Sequence, residues 1–343
     1  MNGNTQYNQN NQSEHFELDL ATGRLTQQSA TRYFSRFGWF AFTMTIVIQA
    51  VVLLVSLAFM VVYPKAIDHF AFGNILNFLA IYAIALPCGL PFLRKLPYEK
   101  PIPVKMPIGK FFIGFCICMA LMTVGSNISQ TFFTLMQNLY GTATENPVAV
   151  AVSSVPWWFN LLTTVILAPI LEEILFRYII CTRLSALGEG FAIFLSASFF
   201  ALIHGNFYQV FYAFLIGAFL AFIYIKTGKL RYTIIYHILI NFFGGFVAPF
   251  IVERVDFDVL ASGDVAAIAS NAVPFMLLLL YEAFVLTVST VGIVMVIVKR
   301  REFTLHKGIL QPPERWASPL FLNGGIAAAI AMLGLNLVWS LGG

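Results

Sequence analysis

Charge is what this 343-residue chain has least of. Asp, Glu, Lys and Arg make up 10% of it, against about 25% in ordinary soluble domains. Hydrophobic residues reach 59% and the mean hydropathy is +0.81. A string of soluble domains is thereby excluded. The net charge of +4 gives no reason to invoke a nucleic-acid partner, because Lys and Arg at the inner ends of membrane helices account for it. Cysteine is also scarce. Cys88, Cys116, Cys118 and Cys181 all lie in apolar segments and none forms a Cys-x-x-Cys pair, which excludes a disulfide framework and a zinc ribbon. No internal repeat is visible. What remains is an all-α, polytopic helical membrane protein, since helices satisfy their own backbone polar groups in lipid.

Apolar runs occur at about 38–62, 70–93, 111–139, 156–184, 191–206, 207–225, 232–252, 273–298 and 319–341. Most reach the ~20 residues that cross a hydrocarbon core. The expectation is nine transmembrane helices, or eight if the short run 191–206 stays within the bundle. Residues 1–37, rich in Asn, Gln, Ser and Thr at their start, read as a disordered cytoplasmic tail without a cleavable signal peptide. Residues 38–343 then form one membrane domain. Placing the N-terminus inside and alternating puts 18 of the 20 Lys and Arg residues on or near the inner side, leaving only Lys65 and Arg254 outside. That split predicts a cytoplasmic N-terminus and, with nine spans, an external C-terminus. The acidic loop Glu253–Asp264 is expected outside, as a solvated loop or a weak cation site.

Besides Arg183 near the end of one run, few ionisable groups lie within the runs: Glu172, Glu173, Arg177, His204, His237 and Glu282. Such groups cost about 2.5–3.5 kcal/mol each on insertion scales, so they are paired or functional. Glu173 and Arg177 are i,i+4 and share a helix face, whereas Glu172 is turned about 100° away. The spacing therefore predicts a structural ion pair at Glu173 and an available carboxylate at Glu172. Gly188-Glu189-Gly190 reads as a turn between two antiparallel helices. Glu172 precedes Gly188 by 16 residues and His204 follows it by 16, so the two meet at equal depth if their faces agree. Phe200 shares the face of His204, and Asn241 that of His237, both at i,i+4. His237 lies about two turns beyond the basic turn Lys226–Arg231, which predicts a site below the inner surface and open to the cytoplasm. Gln49, Asn77, Asn127 and Gln130 read as interhelical glue. Glu282 stands alone, as a packing, gating or site residue.

Glu172-Glu173-x-x-x-Arg177, Phe200-x-x-x-His204 and His237-x-x-x-Asn241 together resemble the three signature motifs of the CPBP family. These are the CAAX-protease and bacteriocin-processing (Abi) membrane proteins, which include the type II CAAX prenyl endopeptidase. The resemblance covers about residues 155–245. It implies an intramembrane endopeptidase with a catalytic core in the helical bundle. It further implies that Glu172 activates water, His204 orients it, and His237 and Asn241 donate to the oxyanion. Glu173, Arg177 and Phe200 would support the site.

No cofactor is expected, because an amide such as Asn241 suits an oxyanion better than zinc. The alternative is a zinc site on Glu172, His204 and His237, although the chain has no His-Glu-x-x-His. The expected partners are the lipid bilayer and a membrane-associated peptide or protein substrate. The expected location is a bacterial plasma membrane. Two other classes compete: a non-catalytic scaffold or immunity factor with the same fold, and a proton-coupled transporter relaying through Glu172 and the histidines. The lack of repeats disfavours the transporter.

Overall fold

A backbone surrounded by lipid must bond to itself, and each apolar run does so as a helix. The computed structural model describes the backbone of residues 16–140 and 147–342. Among the described residues it contains nine apolar helices of ten residues or more: α1 Gln27–Val62, α2 Phe72–Arg94, α3 Ile108–Leu139, α4 Trp157–Leu187, α5 Glu189–Ile203, α6 Phe207–Thr227, α7 Leu230–Val252, α8 Ala272–Val298 and α9 Gly324–Ser340. No strand occurs among the described residues; pairing is limited to the isolated bridges Leu18–Leu25 and Gly188–Lys307. The all-α expectation stands. Seven helices are long and apolar enough to cross a membrane, while α5 and α9 are shorter. Length and composition thus support seven crossings among the described residues, two fewer than the expected nine.

The amino-terminal expectation needs correction. Residues 1–15 lie outside the described residues, but the rest of the expected tail 1–37 is built into the fold. Leu25 is buried and its N–H donates to the Gln311 carbonyl. Thr26 then caps α1 by accepting from Ser29 N. The apolar run began late in the sequence because Arg32 and Arg36 interrupt it, although the helix does not stop for them.

Proline shapes the helix interiors. Wide π-helical turns at Leu79–Ala85, Leu161–Leu167 and Phe243–Val247 are each followed within two residues by Pro87, Pro169 or Pro249. A proline removes one N–H and clashes with the preceding turn, and widening that turn is one relief. A fourth π-helical turn, Ile174–Cys181, has no proline. The short segment Ala168–Glu173, which bears both glutamates, is therefore framed by π turns on both sides.

The helix ends separate into two faces. At the basic face, Tyr33 donates to the Arg183 carbonyl, Arg183 to the Leu93 carbonyl, and Lys226 pairs with Glu189. Three non-helical segments strap across it. Val104 N donates to the Thr227 carbonyl, Leu310 N to the Ala186 carbonyl, and Leu25 N to the Gln311 carbonyl. Beneath them lies the main apolar core, including Phe34, Phe40, Leu93, Leu184, Leu187 and Ala192. At the opposite face, Phe70 packs against Phe159 and Phe59 against Phe72. There the expected acidic loop is partly helical: Asp256 and Asp264 cap two short helices by accepting from backbone N–H groups.

Close approach binds α1 to α9. A Cβ on Gly38 would come within 2.2 Å of the Gly325 backbone, so only glycine fits at that crossing.

Candidate active site

Glu173 and Arg177 pair as their spacing predicts. Arg177 Nε lies 3.1 Å from Glu173 Oε2, and both side chains are fully buried. The contact is an ion pair without hydrogen-bond alignment. Arg177 Nη2 donates to the Gly217 carbonyl at 3.4 Å, and its guanidinium lies 4.8 Å from the centre of the Phe200 ring. Gly217 is glycine for a reason: a Cβ there would sit 2.9 Å from Phe200 Cδ1. Phe200 meets both histidines edge-on, with ring centres 4.9 Å from His204 and 5.8 Å from His237. One aromatic ring thus spaces the arginine from the two imidazoles.

The second oxygen of Glu173 has a partner that local spacing did not reveal. His237 Nδ1 lies 2.9 Å from Glu173 Oε1, and its Nε2 lies 3.6 Å from Glu172 Oε2. His237 therefore stands between the two adjacent glutamates. A carboxylate paired with Arg177 only accepts hydrogen bonds, so Nδ1 of His237 carries the hydrogen. The same reasoning applies to His204, whose Nδ1 lies 2.6 Å from the Phe200 carbonyl oxygen. In their neutral forms both histidines then turn an accepting Nε2 away from these anchors. Such anchored imidazoles are a familiar way to set a tautomer. Asn241 donates from Nδ2 to the Thr164 carbonyl at 2.9 Å, which ties α7 to α4 and leaves one amide hydrogen.

Two cavities meet at the site. The smaller, of about 200 Å³, is lined by Glu172, His204, His237 and Asn241, with Thr164 and Tyr212 among its walls. The larger, of about 720 Å³, is also lined by Glu172 and His204, and by residues of α1, α2 and α9. Glu172 is 24% exposed where Glu173 is 0%, so the adjacent carboxylates face different surroundings. The structure brings Glu172, His204, His237 and Asn241 around one space, supported by Glu173, Arg177 and Phe200.

Other expectations are revised. Glu282 is exposed on α8 and lines neither cavity, apart from the four residues gathered there. Asn77 and Asn127 donate to carbonyls of their own helices, Gly73 and Thr123, rather than across helices. Gln49 and Asn77 line the large cavity. The site also does not open toward the basic face, because the core and the three straps fill that end. Sequence reasoning missed Gln209, which donates to Tyr212 Oη at 2.9 Å beside His204. Its one signal was a glutamine next to a polar turn, which is weak.

Among the described residues no group of three or more His, Cys, Asp and Glu side chains is arranged to hold a metal ion.

Residues 154–243 match the family model for "Type II CAAX prenyl endopeptidase Rce1-like". That segment contains Glu172, Glu173, Arg177, Phe200, His204, His237 and Asn241, and the family resemblance carried by the three motifs is borne out over it. No curated protein and no solved structure matches the chain.

Proposed function

We propose that this protein is an intramembrane endopeptidase that hydrolyses a peptide bond of a membrane-associated protein or peptide. Glu172 takes a proton from a water in the small cavity, and the resulting hydroxide attacks the scissile carbonyl carbon. The proton then passes to the leaving amine as the C–N bond breaks. His204 holds the water through its accepting Nε2. The observation that carries this reading is the shared position of His237. Glu173 anchors its Nδ1 and so directs its Nε2 at Glu172.

That geometry sharpens the part of His237. With Nδ1–H committed to Glu173, neutral His237 has no second hydrogen to give. It donates to an oxyanion only as the imidazolium. The free amide hydrogen of Asn241 is the donor that needs no protonation. Glu173 then has two tasks, pairing Arg177 and orienting His237. Two further parts of the reading rest on charge and composition: a cytoplasmic basic face, and a bacterial plasma membrane as the location.

The test is terminal proteomics of cells carrying the wild-type chain or Glu172→Gln at matched protein levels. The expected result is a set of new peptide termini, in or beside membrane segments, that disappears in the variant. Identical termini in both cells would refute the proposal.

A further inference from the structure

The hairpin of α5 and α6 is shorter than its neighbours. From Gly188, α5 climbs 15 residues, about 22 Å at 1.5 Å per residue. Beside it, α4 runs 31 residues back to Trp157, about 46 Å. The hairpin tip, Gly205-Asn206, thus stops short of the far end of α4, although its other arm, α6, has the 21 residues that cross a membrane. Neighbouring α3 also runs past it, because Phe132 packs on Phe207 with seven residues of α3 still to come. The large cavity occupies the space above this tip. Its lining includes Ile203, His204 and Gly205 from the tip, Asn77 and Tyr82 from α2, and Asn336 and Ser340 from α9.

Packing shows which end is open. Every buried residue of α1 lies between Ser29 and Thr45, and none beyond it up to Val62. In α6 the buried residues run from Ala213 to Thr227, toward the basic face. On α9, Leu335 and Trp339 border the cavity while 65% and 82% exposed, so the wall is thin there. Polar groups also wait in this space. Gln49 and Asn336 line it and make no hydrogen bond among the described residues. Asn77 and Ser340 stand with them, amid Ile48, Ile81 and Met332. Amides set among apolar side chains suit an extended polypeptide. Its backbone N–H and C=O groups need partners away from water, and its side chains need apolar walls. A hydrocarbon chain would need no amide.

We infer that the substrate is an extended, apolar polypeptide segment that enters from the face opposite the basic straps, between α2 and α9. With the basic face cytoplasmic, that is the external face of the membrane. The nature of the substrate rests on the endopeptidase reading, whereas the side of entry rests on geometry and charge alone.

The experiment uses the full chain in right-side-out and inverted bacterial membrane vesicles, with a small charged methanethiosulfonate reagent as the probe. Asn336→Cys and Ser340→Cys report on the cavity, Asp258→Cys on the loop at the face opposite the straps and Lys100→Cys on the basic face. The parent chain with its four cysteines is the blank, and a monodisperse size-exclusion profile selects folded variants. Asn336→Cys and Ser340→Cys should react in right-side-out vesicles, together with Asp258→Cys, while Lys100→Cys reacts only in inverted ones. An apolar quenched-fluorescence peptide added outside should slow the reaction at Asn336→Cys. Reaction of the cavity cysteines from the Lys100→Cys side overturns the entry route, as does no reaction from either side in folded protein. Lack of peptide protection overturns the substrate class. Absence of any Glu172-dependent cleavage in cells, with the labelling pattern as expected, would instead remove the endopeptidase reading and leave the entrance in place.

Discussion

The two ends of the helical bundle are built from the same kinds of residues and differ in what fills them. Toward the basic face, aromatic and aliphatic side chains close the space. Phe199 packs against Phe37, Phe40 and Phe176, and straps from three parts of the chain lie over them. Toward the other face the helices continue, but α5 and α6 turn back early and leave a cavity with amides in its wall. The glutamates lie at the border. Glu173 belongs to the packed end, and its neighbour Glu172 to the open one. One residue of offset on a helix thus separates a carboxylate that holds structure from one available to a substrate. A packed end gives rigidity to the groups at its surface, and an open end gives access. A hydrolase needs both at one place.

The largest expected effect tests that border directly. Glu172→Gln should lower turnover by about 10²–10⁴-fold, the usual loss for a general base, with the melting temperature unchanged or slightly raised. Glu173→Gln should do the reverse. It leaves Arg177 as an unpaired buried charge, a loss of about 3–5 kcal/mol, read as a lower melting temperature. The fraction that still folds should also lose activity, because His237 loses its anchor. Full activity in Glu172→Gln, with folded Glu173→Gln inactive, would reverse the assignment.

Next comes the packing contrast itself. Phe199→Ala at the packed end should cost about 3–5 kcal/mol. Leu335→Ala on the exposed cavity wall should stay within about 0.5 kcal/mol. Thermal melting of the two variants in one detergent compares them, and equal shifts would abolish the distinction between the ends. A smaller effect is expected from Gly217→Ala. Its new methyl group pushes on Phe200, at a cost of about 1–3 kcal/mol for overpacking. Activity should fall further than stability, since Phe200 spaces both histidines. The smallest effect is for metal removal. Exhaustive chelation of purified protein should leave turnover unchanged. Loss with recovery on adding zinc would favour the alternative of a zinc site on Glu172, His204 and His237.

Several features were legible in the residues alone. The three motifs bring together Glu172, His204, His237 and Asn241, and the ion pair of Glu173 with Arg177 follows from four-residue spacing. Helix positions follow from apolar runs. Other features were not legible. His237 and Glu173 are 64 residues apart, and nothing in either segment records their contact. Gln49 and Asn77 resembled interhelical glue, because an amide in an apolar helix looks the same whether it faces another helix or a cavity. The cytoplasmic opening was inferred from the nearness of His237 to Lys229 and Arg231, a measure of depth along one helix. Which end is plugged depends on side chains from α1, α2, α4, α5 and α6 together.

Residue order alone establishes that the chain is helical, where its helices lie and which few ionisable groups they carry. Those properties follow from short-range physics: the cost of an unpaired backbone group in lipid and the 3.6-residue period of a helix. Only the tertiary structure decided that His237 stands between the two glutamates, that the α5–α6 hairpin stops short and that the site opens away from the basic face. Those outcomes depend on how helices of unequal length are brought side by side. Contacts between residues far apart in the chain set that arrangement, and no local period encodes it.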